Sequence, residues 1–310
     1  MSLQETRPKK SGLAIAVIAL VTAVVLVIVV ALAWLLVSLS RVHSDDTPII
    51  PPDHCLATSG EYTGVMTPEQ AGNAAIITGE AIRRNLAARA STVALVTAWQ
   101  ESSLRNLDYG DRDSLGLFQQ RPSQGWGKPA QIMDPWYSSG KFYDALVKLK
   151  HWQTDDINDV AQEVQHSGHP DAYRQHESAG RAWSSALTGN TVAAIRCVLN
   201  NGSGGGGDEL TALLAKVWGK KLTVTTDGDT ITIDAPDVST SWAAAQMSMA
   251  QLASYGFTSV QVGDWYLQLQ PIVLADWVNL RLATTPLPSA GELPSPISNQ
   301  QVIITLLPPQ

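Results

Sequence analysis

Residues 93–122, VALVTAWQESSLRNLDYGDRDSLGLFQQRP, put one glutamate, Glu101, at the end of an apolar helical run and just before a polar turn. Helical steps back from Glu101 reach Ala98, Thr97, Ala94 and Val93, and a step forward reaches Leu104, so its side chain leaves from an apolar stripe. Burial disfavours the ionised form. Such a carboxyl either finds hydrogen-bond donors or keeps its proton near neutrality, the state a general acid needs. A half-exposed glutamate on a surface helix is the alternative reading of the helix alone.

The residues just after Glu101 favour the first reading. Glu101-Ser102 and then Ser114-Leu115-Gly116-Leu117-Phe118-Gln119 resemble the signature of the lysozyme-like lytic transglycosylases, in which a Glu-Ser pair is joined by a loop to an S-x-G-L-[MF]-Q segment at this spacing. The resemblance continues through Gln124-Gly125-Trp126-Gly127 and Ile132-Met133-Asp134-Pro135 to Phe142-Tyr143 and Leu146, and spans 66–173. It implies a mainly α, lysozyme-like domain in a bacterial protein. It also implies cleavage of the β-1,4 bond between N-acetylmuramic acid and N-acetylglucosamine in peptidoglycan, with Glu101 as the acid and no cofactor. Carried over by position, Ser114 and Gln119 would orient Glu101 and the sugar. Phe118, where the family often has Met, would pack on an acetamido group. The family's A-Y-N-A-G segment, whose Tyr hydrogen-bonds the acid, corresponds to 159–173, DVAQEVQHSGHPDAY. Here the glycine is kept as Gly168, but Gln165 stands at the Tyr position and His166 at the Asn position. Gln165 and Tyr173 are therefore the two candidates for the donor to Glu101.

Other residues have more than one reading. Gly116 permits close backbone approach of a ligand, and Gln119 offers both a donor and an acceptor, while a core-facing turn would explain Leu117 and Phe118 equally well. Trp126, Trp136 and Tyr137 lie in a Gly/Pro-punctuated loop and offer aromatic faces to sugar rings, although with 10 Trp in the chain some belong to the core. Asp108, Asp111 and Asp113 surround Gly110 in the loop after Glu101, where a second carboxylate of a hydrolysing glycosidase would sit. They also read as solvated loop acids, and no EF-hand pattern accompanies them. His166, His169 and His176 lack the cysteine or carboxylate spacing of a zinc site, so no metal is expected. Three functions stay open: a lytic transglycosylase, a non-catalytic glycan-binding or scaffold domain, and a hydrolytic lysozyme with a second Asp.

The whole chain frames this region. Its 310 residues suggest about two domains, and a hydrophobic content of 45% suffices for real cores. A net charge of −7, without a long Lys/Arg run, argues against nucleic acid as a partner. Residues 12–40 are almost unbroken Ala, Val, Ile and Leu, about 40 Å as a helix, and predict a transmembrane helix; a signal peptide is the competing reading, but the apolar run is too long for one. Arg7, Lys9 and Lys10 before it and Arg41, Asp45 and Asp46 after it predict a cytoplasmic tail at 1–11, a lipid bilayer partner at 12–40 and an extracytoplasmic body. In such a compartment Cys55 and Cys197, which flank the Glu101 region, would pair as a disulfide, with two separate buried thiols as the alternative.

The remaining boundaries come from composition. A stalk at 41–54 ends in Ile50-Pro51-Pro52, a first domain spans 55–199, and 200–207 is a Gly-rich linker. Residues 208–283 predict a small α+β domain: alternation on both sides of Asp227-Gly228 signals a hairpin, 239–255 reads as a helix ended by Gly256, and 258–270 alternates again. It carries no catalytic cluster, so a protein partner is its default role. Pro and Ser dominate 284–310, which predicts an extended tail.

Overall fold

The computed structural model describes residues 11–42, 52–165, 171–200, 206–283 and 293–308, and, among the side chains of 11–42, those of 17, 18 and 20–34. Residues 1–50 and 51–310 are two compact units. In the first, α1 runs Ser11–Val42, and its described side chains from Val17 to Trp34 are exposed. Among the described residues no helix is long and apolar enough to cross a membrane, and this overturns the transmembrane helix expected at 12–40. The cytoplasmic tail, the bilayer partner and the extracytoplasmic body rested on that helix and are withdrawn with it. Residues 1–10 and 43–51, which hold the tail and most of the stalk, lie outside the described residues.

The second unit starts with a hairpin, β1 (His54–Ser59) and β2 (Tyr62–Met66), which turns through Gly60 at φ +59°. Helices α2 (Pro68–Arg83), α3 (Ala88–Ser102), α4 (Pro129–Ile132), α5 (Pro135–Leu146), α6 (Ile157–Gln165) and α7 (Glu177–Leu187) come next. Strand β3 (Ile195–Val198) then pairs antiparallel with β1, giving the order β2-β1-β3. That register sets Cys55 opposite Cys197, and a disulfide joins them across 142 residues. Closing a loop of this length contributes about 5 kcal/mol on the chain-entropy account.

The starts of α2 and α5 obey their sequence signals, whereas α3 begins at Ala88 without a side-chain cap, ahead of the Ser91 expected to cap it. Thr67 caps α2 with a full capping box to Gln70 and Pro68 at the first position, and Asp134 caps α5 ahead of Pro135. Helix α3 is buried on every side from Ala90 to Ala98, as a helix apolar all round must be. Gly180 of α7 lets that helix come close to α3, since a Cβ there would lie 2.5 Å from the Val96 side chain.

Beyond β3 come α8 (Gly207–Trp218), β4 (Thr223–Asp227), β5 (Thr230–Asp234), α9 (Val238–Ala250), α10 (Leu252–Tyr255), β6 (Phe257–Val262), β7 (Trp265–Gln268), β8 (Val278–Asn279) and β9 (Gln301–Leu306). They form an antiparallel sheet of order β4-β5-β9-β6-β7-β8. Strand β9 falls within the stretch expected to be a tail. It lies instead between β5 and β6, because Val302, Ile304 and Leu306 alternate inward against Ile231, Ile233, Val260 and Val262.

The expected fold class, a transmembrane helix followed by a mainly α lysozyme-like domain and a small α+β domain, is therefore corrected. The described residues form ten helices with a three-stranded and a six-stranded sheet, and 51–310 is one compact unit. Buried side chains tie its two sheets together. Gln246 of α9, fully buried, accepts from the amides of Ala194 (2.8 Å) and Ile195 (3.1 Å) and donates to the carbonyls of Ala186 (2.7 Å) and Thr191 (2.9 Å). Trp277 Nε1 donates to Ile195 O at 2.9 Å, and Gln251 Nε2 to Gly72 O at 3.0 Å.

Candidate functional site

Helix α3 ends abruptly, and its ending aims Glu101. Ser103 (φ 53°) and Leu104 (φ 55°) both adopt the left-handed conformation, with their amides turned back to the carbonyls of Trp99 and Ala98. Two non-glycine residues in this region cost free energy and need outside support. Side chains of α2 supply it: Gln70 Nε2 donates to Ser103 O at 2.9 Å and Asn73 Nδ2 to Leu104 O at 2.8 Å. Ser102, buried, holds the same corner to the next loop, its Oγ 2.7 Å from Leu117 O and 3.0 Å from Ala98 O.

Glu101 is half-buried in the last turn of α3. Tyr173, fully buried, donates its Oη to Glu101 Oε1 at 2.7 Å. Burial pushes the carboxyl above the ordinary glutamate range, and the Tyr173 hydrogen bond offsets this only in part. The carbonyl end of a helix with no basic residue in its last turn also disfavours negative charge there. Both favour the protonated form of a carboxyl that keeps some access to solvent, the direction that donation to a leaving oxygen uses.

The structure brings Tyr173, rather than Gln165, to Glu101. Gln165 Nε2 instead donates to Phe118 O at 3.1 Å. His166, Gly168 and His169, central to the expected third segment, lie outside the described residues. Ser114 is buried, its amide donating to Asp111 O, and among the described residues neither Ser114 nor Gln119 hydrogen-bonds the Glu101 carboxyl. Gln119, at φ 46°, turns its amide back on its own loop, 3.3 Å from both Tyr109 O and Gly116 O. Gly110 makes room for it, since a Cβ there would lie 1.9 Å from Gln119 Oε1. Gly116 serves packing too, because at φ +75° its added Cβ would lie 2.8 Å from Ile132 O. Phe118 is buried and stacks on Phe142 at 4.6 Å, so its ring is core rather than a face for sugar. Trp126 is half-buried and lines an open cleft of about 500 Å³ with Lys141, Asp144 and Lys148.

The loop acids divide. Asp113 accepts from Arg121 Nε at 2.7 Å and from the Ser123 amide and hydroxyl, contacts that hold its carboxyl well below the usual range. Asp108 and Asp111 are exposed. Among the described residues no group of three His, Cys, Asp or Glu is placed to hold a metal.

A cluster next to Glu101 has little signal in the sequence. His176 stacks on Trp99 at 5.7 Å, and Gln100 Oε1 meets His176 Nε2 at 3.0 Å and Gln175 Nε2 at 3.2 Å. With Tyr173, these contacts clamp the 171–176 turn onto the last turn of α3. All that marks it is a histidine three residues after a tyrosine, facing a glutamine beside the glutamate. No protein-family model matches the chain, and no curated protein matches it.

Proposed function

We propose that this protein is a lytic transglycosylase that cleaves the β-1,4 bond between N-acetylmuramic acid and N-acetylglucosamine in peptidoglycan, with Glu101 as its single catalytic carboxyl. The observation that carries this reading is the half-buried Glu101, its pKa raised by desolvation, held at 2.7 Å by the buried Tyr173 hydroxyl. The Glu-Ser and S-x-G-L-F-Q motifs support it, with Ser102 bonding the end of α3 to the second motif through Leu117 O. Protonated Glu101 would donate to the glycosidic oxygen as the bond to the muramic C1 breaks. The resulting carboxylate would then take the proton of the muramic C6 hydroxyl as that oxygen closes on C1, giving a 1,6-anhydro ring. One carboxyl serves both steps, so no second acid is needed.

A second reading, a glycan-binding or scaffold domain without chemistry, is favoured by Gln165, which stands where the family has its tyrosine and bonds Phe118 O rather than Glu101. Incubating purified peptidoglycan with the wild-type protein and with Glu101→Gln separates the two. The catalytic reading expects soluble glycan from the wild type and a loss of about 100- to 10,000-fold in the variant. Equal sedimentation of both proteins with the polymer, without release by either, would leave only the binding reading.

A further inference from the structure

Near the start of α3, about 18 Å along the helix from Glu101 at about 1.5 Å per residue, lies a cavity of about 270 Å³. Ser59, Tyr62, Arg89, Arg181, Ser185 and Asn190 form its polar walls, and none of its described lining residues is acidic. The two arginines differ in how their charge is met. Arg181 pairs with Glu177 (2.6 Å) and lies over the Tyr62 ring at 5.4 Å. Arg89 donates Nε to Trp152 O at 2.8 Å and Nη2 to Asp155 O, so its guanidinium is fixed by two neutral carbonyls. Among the described residues no carboxylate pairs with it. A half-buried cation oriented by carbonyls and left without a counter-charge is an arrangement that recognises an oxyanion.

Two hydroxyls of the lining, those of Ser59 and Ser185, are joined through Thr191, which is not itself a lining residue. Thr191 Oγ1 lies 2.7 Å from Ser59 Oγ and 2.8 Å from Ser185 Oγ. Three hydroxyls linked by two hydrogen bonds commit two of their three protons, so one donor and several lone pairs remain. Either direction of donation fits the distances, which lets the chain adapt to the hydroxyls of a guest.

We propose that this cavity binds a small polyhydroxylated oxyanion, a hydroxy-carboxylate or a sugar phosphate, with Arg89 meeting its charge and the Ser59 and Ser185 hydroxyls, joined through Thr191, meeting its own. The volume, just below the range of about 300 to 1,000 Å³ usual for ligand pockets, suits a molecule of monosaccharide size. The site stands apart from Glu101 and does not depend on its chemistry.

Isothermal titration calorimetry of the full chain with gluconate, with inorganic phosphate and with neutral sorbitol tests this. Saturable binding of gluconate or phosphate is expected, with sorbitol weaker by about tenfold or more. The anion that binds identifies the carboxylate or the phosphate source. Arg89→Gln and Ser185→Ala should each weaken binding by about tenfold, and Glu101→Gln should leave it unchanged. Circular dichroism melts check folding. Should Arg89→Gln not fold, Ser185→Ala, which gives up one hydroxyl and no backbone contact, carries the comparison. The proposal is overturned if neither anion binds saturably at millimolar concentration, if sorbitol binds as well as they do, or if the folded variants bind as the wild type does.

Discussion

Tyr173 Oη donates to Glu101 Oε1 at 2.7 Å, across 72 residues of sequence, and this bond partly offsets the upward push of burial on the carboxyl's pKa. Replacing Tyr173 by Phe removes the contact that lowers the Glu101 pKa while leaving the desolvation that raises it. The limb of the pH–activity profile set by Glu101 should therefore move to higher pH. Loss of a hydrogen bond to a charged acceptor should also cost about 1.5 to 3 kcal/mol of stability above that pKa. A pH–rate series and a urea titration of Tyr173→Phe check both; an unmoved profile would show that the bond does not tune the carboxyl.

Linkage gives a second expectation. The folded-state pKa of Glu101 lies above its unfolded value, so its contribution to stability is present in full below the unfolded pKa and is lost as pH rises through the folded one. Glu101→Gln, which never ionises, should match the wild type in acid and melt higher at neutral pH. Thermal melts of the two proteins across that interval measure the difference, and a variant that melts lower at neutral pH contradicts the sign.

The Cys55–Cys197 bond joins the two ends of the segment that carries Glu101. Cys55→Ser together with Cys197→Ser should lower stability by about 2 to 5 kcal/mol, and reductant should reproduce the loss in the wild type. Denaturant unfolding with and without reductant measures it.

Gln246 satisfies two amides and two carbonyls of the 186–195 turn from within the core. Gln246→Leu would strand the Ala194 and Ile195 amides and the Thr191 carbonyl, each at about 1 to 3 kcal/mol, while Ala186 O keeps the Gly189 amide. Hydrogen exchange at Ala194 and Ile195 should accelerate in the variant well beyond the rest of β3.

Much of the site was legible in the sequence because local signals agreed there. The apolar spacing before Glu101 marks α3, and Thr67-Pro68 with Gln70 marks the start of α2. Asp227 and Gly228 stand at the β4–β5 turn. Less legible were features made by distant pairing. Strands β1 and β3 are short and meet across most of the first 200 residues, and β9 is a six-residue strand beside a Pro- and Ser-rich stretch. Composition also misled at the N-terminus, where apolar content alone suggested a membrane crossing that the described part of α1 does not provide. At the site, the family resemblance set Phe118 and Gln119 beside Glu101 but could not say which way they point. Their inward direction comes from the Phe142 stack and from the left-handed backbone at Gln119. Tyr173 was reachable only as an alternative to Gln165.

Mass spectrometry of the muropeptides released from purified peptidoglycan, by the wild-type protein and by Glu101→Gln, tests the central claim most directly. Anhydro-muramic ends, formed by the wild type and lost in the variant, are the predicted result. Reducing ends, or anhydro products that persist without the Glu101 carboxyl, would contradict it.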